Sequence, residues 1–271
     1  MTATGDPGTR LRHGAEAAAP DVTAARPSSP ASPGATRRGP AARELVAELV
    51  GTAFLLAAVV GSGIMAENLT DDVGLQLLQN AVATAGVLVA LILALGPASG
   101  GHFNPAVTLA DRYFGGIDTL TAVGYIAAQS VGAVLGVMMA NVMFDLPVVQ
   151  WSTTDRSGGN LVFAEGVATF GLLLVIFGVV RSGRSDVAAF TVGGYIAGAY
   201  YFTSSTSFAN PAVTVGRMFS DTFAGIEPGS APGFIAAQVL ATGVAIAAIR
   251  LVYPHMSDVA DMVVVPHQRE D

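Results

Sequence analysis

The chain has 271 residues, of which 52% are hydrophobic and only 12% are charged, about half the charged fraction of a typical soluble domain. The formal net charge is −7, all 13 basic residues are arginine, and there is no cysteine. This composition indicates a membrane protein. It excludes disulfides, a cysteine nucleophile and thiolate metal sites, and it argues against a nucleic-acid partner.

The two ends of the chain differ from its middle. Residues 1–42 are rich in Ala, Pro, Ser, Thr and Arg, which predicts a disordered tail. This stretch has no contiguous apolar core and is therefore unlike a cleaved signal peptide. A second tail is expected at 254–271. The single domain between them, 43–253, is predicted to consist of two halves, at about 43–143 and 160–253.

Six apolar segments follow the N-terminal tail in chain order, each close to the roughly 20 residues that a spanning helix needs. They lie at about 43–65, 75–97, 119–143, 160–181, 187–205 and 232–253. The pentapeptide Asn-Pro-Ala-Val-Thr occurs after the second segment, at 104–108, and again after the fifth, at 210–214. The sequence predicts an all-α membrane protein with six transmembrane helices.

Three landmarks recur in the same order along the chain. "AELVGT" at Ala47 returns as "AEGVAT" at Ala164, the Asn-Pro-Ala motif returns 106 residues later, and "GYIAAQ" at Gly124 returns as "GFIAAQ" at Gly233. Each half then holds three spans and one short segment. Because three is an odd number, the second half must insert upside down, which is the inverted-repeat arrangement.

The repeated motif reads as the start of a helix, because Asn is a favourable N-cap and Pro is favoured at the first helical position. The helices beginning at Pro105-Ala106 and Pro211-Ala212 are expected to be short, about half a membrane span. Two inverted half-helices bring their N-termini together at the midplane, where Asn104 and Asn210 face one lumen. Their positive ends disfavour cations there, so a neutral solute could pass.

Arginines predict the orientation. They concentrate in the N-terminal tail, between the fourth and fifth spans at Arg181 and Arg184, and beyond the last span at Arg250 and Arg269. With six spans these regions share one side. We therefore expect both termini in the cytoplasm and the protein in a plasma (inner) membrane.

The motifs "AELVGT", "SGGHFNPAVT", "AAQSVGA", "AEGVAT", "NPAVT" and "AAQVL" resemble those of the aquaporin and glycerol-facilitator family, the major intrinsic proteins. The resemblance covers about residues 43–253 and rests chiefly on the two Asn-Pro-Ala motifs. It implies a homotetramer with one pore per subunit, with Asn104 and Asn210 at the centre of the pore and His102 in its cytoplasmic approach.

The chain departs from the family's pattern at one position. Most members carry an arginine after the second Asn-Pro-Ala, and here that residue is Val213. Ungapped spacing predicts Thr84, Gly198 and Ser207 as the other constriction residues, while Ile196, Tyr200 and Phe208 remain alternatives. Arg217 is one turn further on and is a poor substitute, although it could lie at the outer mouth. The expected constriction is wide, uncharged and hydroxyl-lined, and leaves cation exclusion to the half-helix dipoles.

Several polar residues admit two interpretations. Glu48 and Glu165 are intramembrane acids, which are candidates for a proton relay, but a matched pair in inverted halves favours carboxylates that hold loop N–H groups. His102 could respond to pH or fix its loop by a hydrogen bond. Gly51, Gly86, Gly132 and Gly194 are interpreted as helix-contact glycines.

The sequence therefore predicts a passive channel for small neutral solutes: water, glycerol-like polyols, or neutral metalloid hydroxides such as arsenous acid. The alternative is a proton-coupled secondary transporter using Glu48 and Glu165. No catalytic constellation, metal site or cofactor motif is visible, so an enzyme is not expected.

Overall fold

The computed structural model describes residues 39–254. The predicted tails therefore lie almost entirely outside the described residues. Within that range the chain is helical without β-strands, with eight α-helices: α1 Ala42–Leu69, α2 Val73–Ser99, α3 Pro105–Phe114, α4 Thr119–Met143, α5 Gly159–Arg181, α6 Ala188–Phe202, α7 Pro211–Gly216 and α8 Ala231–Val252. Two 3₁₀ turns, Ser185–Val187 and Arg217–Phe219, precede α6 and follow α7.

Six of these helices coincide with the six predicted spans. Among the described residues, α1, α2, α4, α5 and α8 are each long and apolar enough to cross a bilayer. The sixth, α6, has 15 residues and is about 22 Å long. The 3₁₀ turn directly before it lengthens the element toward the roughly 30 Å of a hydrocarbon core.

The two short helices, α3 and α7, begin as the motif predicts. Asn104 caps α3 by accepting a hydrogen bond from the N–H of Ala106 at 2.9 Å. Asn210 caps α7 by accepting from Ala212 at 3.0 Å, and a proline occupies the first turn of both helices. A capped helix start with a pre-set proline φ explains why the chain can begin a helix in mid-membrane.

Helix pairing shows the internal repeat. In the first half α1 packs against α2 and α4, and in the second half α5 packs against α6 and α8 in the same way. The halves interlock because each half-helix also packs against the opposite half, α3 against α8 and α7 against α4. Each long helix therefore has a counterpart in the other half.

Contacts between loops show which described loops lie together at each of the two ends of the helix bundle. At one end Gly39 donates to Asp118, and Arg250 donates to the Tyr113 hydroxyl at the end of α3. At the other end the N–H of Ser152 donates to the Met218 carbonyl, just beyond α7. The two half-helices therefore run from the centre to opposite ends of the molecule.

Close helix contact depends on particular glycines. A Cβ at Gly132 in α4 would lie 2.3 Å from the Leu49 carbonyl oxygen of α1, and one at Gly51 would lie 2.1 Å from the Phe103 ring. At Gly86 and Gly194 a Cβ would meet nothing within 4 Å. Two of the four predicted contact glycines are thus in close contacts, whereas Gly86 and Gly194 are on exposed helix faces.

Candidate functional site: a pore between the two half-helices

A cavity runs past the point where the loops before α3 and α7 meet. Its apolar wall comes from α1, α2, α5 and α6, together with Val107 of α3. The polar lining comes mainly from the loops, including His102, Asn104, Ser207 and Asn210. One half of the chain mirrors the other, because α1 and α2 correspond to α5 and α6. The cavity therefore lies between the two repeats and is lined by corresponding elements of both.

Asn104 and Asn210 are bonded across the repeat. The Asn104 amide nitrogen donates to the Ala209 carbonyl at 2.8 Å, and the Asn210 amide nitrogen donates to the Phe103 carbonyl at 2.8 Å. Each side-chain oxygen already caps its own helix. Since an amide nitrogen carries two N–H groups, each asparagine keeps one donor for the cavity that it lines.

The loops that precede the two asparagines share an unusual backbone. Three positions in each have positive φ at the same distances from the asparagine: Gly100, Gly101 and Phe103 in the first, and Thr206, Ser207 and Ala209 in the second. Positive φ costs a non-glycine residue energy and persists only where the surrounding contacts impose it. The second loop carries that cost at all three positions, whereas the first has glycine at two.

Two buried glutamates hold these loops. Glu48 accepts from the N–H groups of His102 at 2.9 Å and Phe103 at 2.7 Å, and also from the side chains of Ser99 and Gln129. A carboxylate offers about four acceptor sites, so these donors occupy its full capacity.

Glu165 repeats the arrangement in the second half. It accepts from the N–H groups of Phe208 and Ala209 at 2.8 Å and from Gln238 at 2.6 Å. Neither glutamate lines the cavity, and both are fully buried. Their contacts are those of loop-holding carboxylates rather than of groups placed on a conduction path.

His102 lines one end of the cavity and is bonded through both ring nitrogens. Its Nδ1 lies 3.1 Å from the Thr108 hydroxyl, and its Nε2 lies 3.4 Å from an Asp111 carboxylate oxygen. Tyr125 packs edge-on against the ring. The loop-fixing interpretation of His102 fits this geometry. Asp111, a buried acid one turn before the end of α3, is a partner that the sequence analysis missed.

At the opposite end of the cavity a second group of side chains converges. The hydroxyls of Thr84 and Tyr200 lie 3.2 Å apart. Val213 and Ser207, both buried, line the same part of the cavity. Three of the four residues predicted for the constriction, Thr84, Ser207 and Val213, are thus placed at one end of the cavity.

The fourth predicted residue, Gly198, is not in the cavity. It lies on an exposed face of α6 with open space around it, whereas Val192, Ile196 and Tyr200 line the cavity at four-residue spacing. Ungapped counting back from Asn210 therefore selected the wrong face of α6. The irregular stretch Thr203–Ala209 sets the true register, and Tyr200 takes the place expected for Gly198.

Arg217 is the second correction. Its side chain is 2% exposed and lines the cavity, so the lining near Val213 is not uncharged as expected. Its Nε donates to the Ala224 carbonyl, and the guanidinium carbon lies 3.4 Å from the centre of the Phe208 ring. The spacing of four residues after Val213 could have indicated this, because residues i and i+4 of a helix share one face.

Six membrane helices, two capped half-helices and a cavity between the halves of an inverted repeat define a membrane channel. A sequence model of the major intrinsic protein family matches residues 35–204. The chain is 48% identical over 208 residues to an aquaglyceroporin, AqpS, of Rhizobium meliloti, covering 77% of this chain and 89% of that protein.

More distant relatives agree on the family. Nodulin-26 of Glycine max is 35% identical over 159 residues, covering 57% of this chain and 58% of the relative. The crystal structure of the aquaglyceroporin of Plasmodium falciparum superposes with a TM-score of 0.62 at 19% identity, covering 79% of this chain and 98% of that one. The last comparison supports the fold.

The chain belongs to the major intrinsic protein family. The predicted fold class, six transmembrane helices with two half-helices in an inverted repeat, is confirmed. The protein is a multi-pass membrane channel for small neutral solutes and not an enzyme. The proton-coupled transporter considered as the alternative has no support from these relatives.

Proposed function

We propose that this channel conducts glycerol-like polyols and other small neutral hydroxylated solutes, arsenous acid among them, as well as water. The supporting observation is Val213, a buried aliphatic residue that lines the cavity where most of the family carries an arginine. A valine occupies much less volume than an arginine and offers no donor. The outer part of the pore thus has room for solutes larger than water.

The lining matches such solutes chemically. One wall is aliphatic, with Leu88, Leu172 and Ile196 among its residues, and the polar groups are concentrated in the loops. A polyol can turn its C–H edge to the aliphatic wall and its hydroxyls to the Asn104 and Asn210 amides. Sites of this kind are mostly apolar, with a few well-placed polar groups that fix orientation. The relative AqpS is named an aquaglyceroporin, which is consistent with this solute class.

The constriction residues of this proposal are Thr84, Tyr200, Ser207 and Val213 at the outer end, with Asn104-Pro105-Ala106 and Asn210-Pro211-Ala212 at the centre. His102 lines the cytoplasmic approach. Glu48 and Glu165 serve as scaffold acids that hold the loops before the two half-helices, as their hydrogen bonds support.

The experiment is stopped-flow light scattering of proteoliposomes containing the parent, Val213→Arg or Val213→Leu, with water, glycerol and arsenous acid as permeants. We expect the parent to pass all three. We expect Val213→Arg to reduce glycerol flux at least about tenfold, a barrier of about 1.4 kcal/mol, and water flux much less. Val213→Leu enlarges the side chain without charge and should have a smaller effect. A parent that passes only water would contradict the proposal.

The proposed membrane is the plasma (inner) membrane, with both termini in the cytoplasm. At the end that holds Gly39 and Arg250, the described residues include Arg43, Arg112, Arg181 and Arg184. The other end carries an excess of acids: Glu67, Asp71, Asp72, Asp145, Asp155, Asp221 and Glu227. Arginine-rich ends face the cytoplasm, which supports this orientation.

The proposed assembly is a homotetramer with one pore in each subunit. The cavity lies between helices of a single chain and is lined by residues of both its halves, so each subunit has a complete pore. Exposed aliphatic and aromatic side chains cover the outer faces of the spans, for example Phe54, Val82 and Phe163. These faces are available to lipid and to neighbouring subunits.

A further inference from the structure

The guanidinium of Arg217 is a cation in the lining of the outer pore that the Asn-Pro-Ala motif does not predict. It lies in the 3₁₀ turn that continues α7, four residues after Val213. In a helix four residues advance the backbone by about 6 Å, and Cα–Cβ bonds lean toward the N-terminus. A long side chain at 217 can therefore reach back toward the layer of Val213, and Arg217 and Val213 line the same cavity.

Two contacts fix the guanidinium. The Phe208 ring lies against its carbon at 3.4 Å, and the Ala224 carbonyl accepts from its Nε. A planar guanidinium stacks on an aromatic face in a way that a lysine ammonium cannot. Phe208 is itself held by the bond from its N–H to Glu165. The charge is therefore anchored to the same loop that carries Asn210.

The charge of Arg217 is not neutralised by an acid. In the part of the chain that the structure describes, Arg217 forms no salt bridge with a carboxylate, and its Nη groups have no protein hydrogen-bond partner. The remaining N–H groups are left for the cavity that Arg217 lines. A buried, unpaired cation acts over a longer range than an exposed one, since solvent ions screen it less.

A second arginine shares the Phe208 ring but not the cavity. The Arg156 guanidinium carbon is 5.2 Å from the ring centre. Its Nε donates to the Gly225 carbonyl at 2.9 Å, and Arg156 is absent from the cavity lining. It holds the α4–α5 loop against the segment after α7. Arg156 is thus a matched arginine on the same ring with a different position relative to the pore.

We propose that Arg217 is the residue of the outer pore that excludes cations and determines specificity. It lies one helical turn beyond Val213 and supplies the positive charge that Val213 lacks. The substitution at 213 then separates two functions that one arginine combines in most of the family. Val213 leaves room for larger solutes, and Arg217 keeps positive charge beside their path. This inference rests on the proposed channel function and adds the residue that rejects cations.

The experiment measures proton and sodium leak in proteoliposomes under an imposed gradient, with glycerol flux measured on the same vesicles. The variants are Arg217→Gln, Arg217→Lys, Arg156→Gln and the double variant Val213→Arg with Arg217→Gln. Glutamine at 217 keeps an N–H donor for the Ala224 carbonyl and removes the charge. We expect it to raise cation leak at least about tenfold, a barrier change of about 1.4 kcal/mol, while glycerol flux persists or rises.

The other variants test whether the effect comes from the positive charge at this position. Arg217→Lys should keep the cation leak as low as in the parent. The double variant should bring the leak back to that level and should also restrict glycerol. Arg156→Gln should leak no more than the parent. The proposal is overturned if Arg217→Gln conducts glycerol and remains as tight to cations as the parent, or if Arg156→Gln leaks equally.

The two proposals fail in distinguishable ways. A parent without glycerol flux contradicts the solute proposal, and the leak comparison between the parent and Arg217→Gln still tests Arg217. If Arg217→Gln lost its glycerol flux together with its fold, the double variant would share that defect because it carries the same change, and Arg217→Lys would decide. An Arg217→Lys variant that still passes glycerol but leaks cations would show that a cation at this position does not control exclusion.

Discussion

Glu48 and Glu165 show what an ionisable residue does inside this membrane domain. Each accepts two backbone N–H groups from the loop before a half-helix and one glutamine side chain from a neighbouring span. The loops need such acceptors because their left-handed backbone leaves consecutive N–H groups without helical partners. An intramembrane acid is a functional candidate by default, and here the function that the contacts support is holding the pore loops.

Replacing either acid by its amide tests this role. Glu48→Gln and Glu165→Gln each turn an acceptor oxygen into an NH₂ group that faces a donor. We expect each variant to lose roughly 1–3 kcal/mol of stability, the cost of leaving a buried donor unsatisfied. Thermal unfolding in detergent measures it, and Glu227→Gln, an exposed acid, should change stability by no more than about 0.5 kcal/mol. Equal stability of all three variants would contradict the loop-holding role.

The sequence was sufficient to predict the positions of residues whose role follows from a local motif. Asn104 and Asn210 could be placed because a cap followed by proline defines a helix start wherever it occurs. The sequence could not decide whether Gly198 or Tyr200 faces the pore. That choice depends on the path of the irregular stretch Thr203–Ala209 between α6 and α7. Arg217 was underestimated because its four-residue distance from Val213 was judged only as a step along the helix axis, although residues at this spacing share one face and a long side chain can reach back toward the N-terminus.

At the scale of elements, close approach of helices depends on where a backbone oxygen faces a glycine. Gly132 of α4 meets the Leu49 carbonyl of α1 in this way, whereas Gly86 of α2 faces open space. Both look alike in sequence, as glycines in apolar helices. Composition alone therefore predicted the existence of glycine contacts but could not tell which glycines make them, since that depends on helix rotation.

The contrast between these two glycines can be measured. Gly132→Ala would place a Cβ 2.3 Å from a backbone oxygen, which α1 can relieve only by moving away from α4. We expect a loss of about 1–3 kcal/mol, as for other overpacking substitutions. Gly86→Ala should be neutral or gain up to about 1 kcal/mol, because alanine is the better helix former. The measurement is the unfolding midpoint in detergent. A destabilised Gly86→Ala with an unaffected Gly132→Ala would contradict the helix packing described.

At the scale of the whole molecule, the two ends differ in charge as well as in the loops they carry. Arg181 is the last residue of α5 and Arg184 lies in the α5–α6 connection, whereas Asp145 and Asp155 lie in the α4–α5 connection. Because α5 separates these connections, they are on opposite sides of the membrane. The proposed orientation assigns the first to the cytoplasm.

Cysteine labelling tests that orientation, and the chain suits it because it contains no cysteine of its own. Ser182 and Ser157 are both exposed, at opposite ends of α5. In intact cells a membrane-impermeant maleimide should label Ser157→Cys. It should label Ser182→Cys only after the cells are opened, because the proposed orientation assigns that position to the cytoplasm. The reverse pattern would overturn the orientation.

The reciprocal bonds between Asn104 and the Ala209 carbonyl, and between Asn210 and the Phe103 carbonyl, have a consequence for the energetics of transport. A carrier with alternating access must move one repeat against the other at every cycle. Here each repeat supplies part of the other's helix start, so that movement would break both bonds at once. Solutes therefore cross a path that stays open, and no conformational change is needed for each molecule transported. The temperature dependence of the flux should then be that of diffusion through a narrow pore.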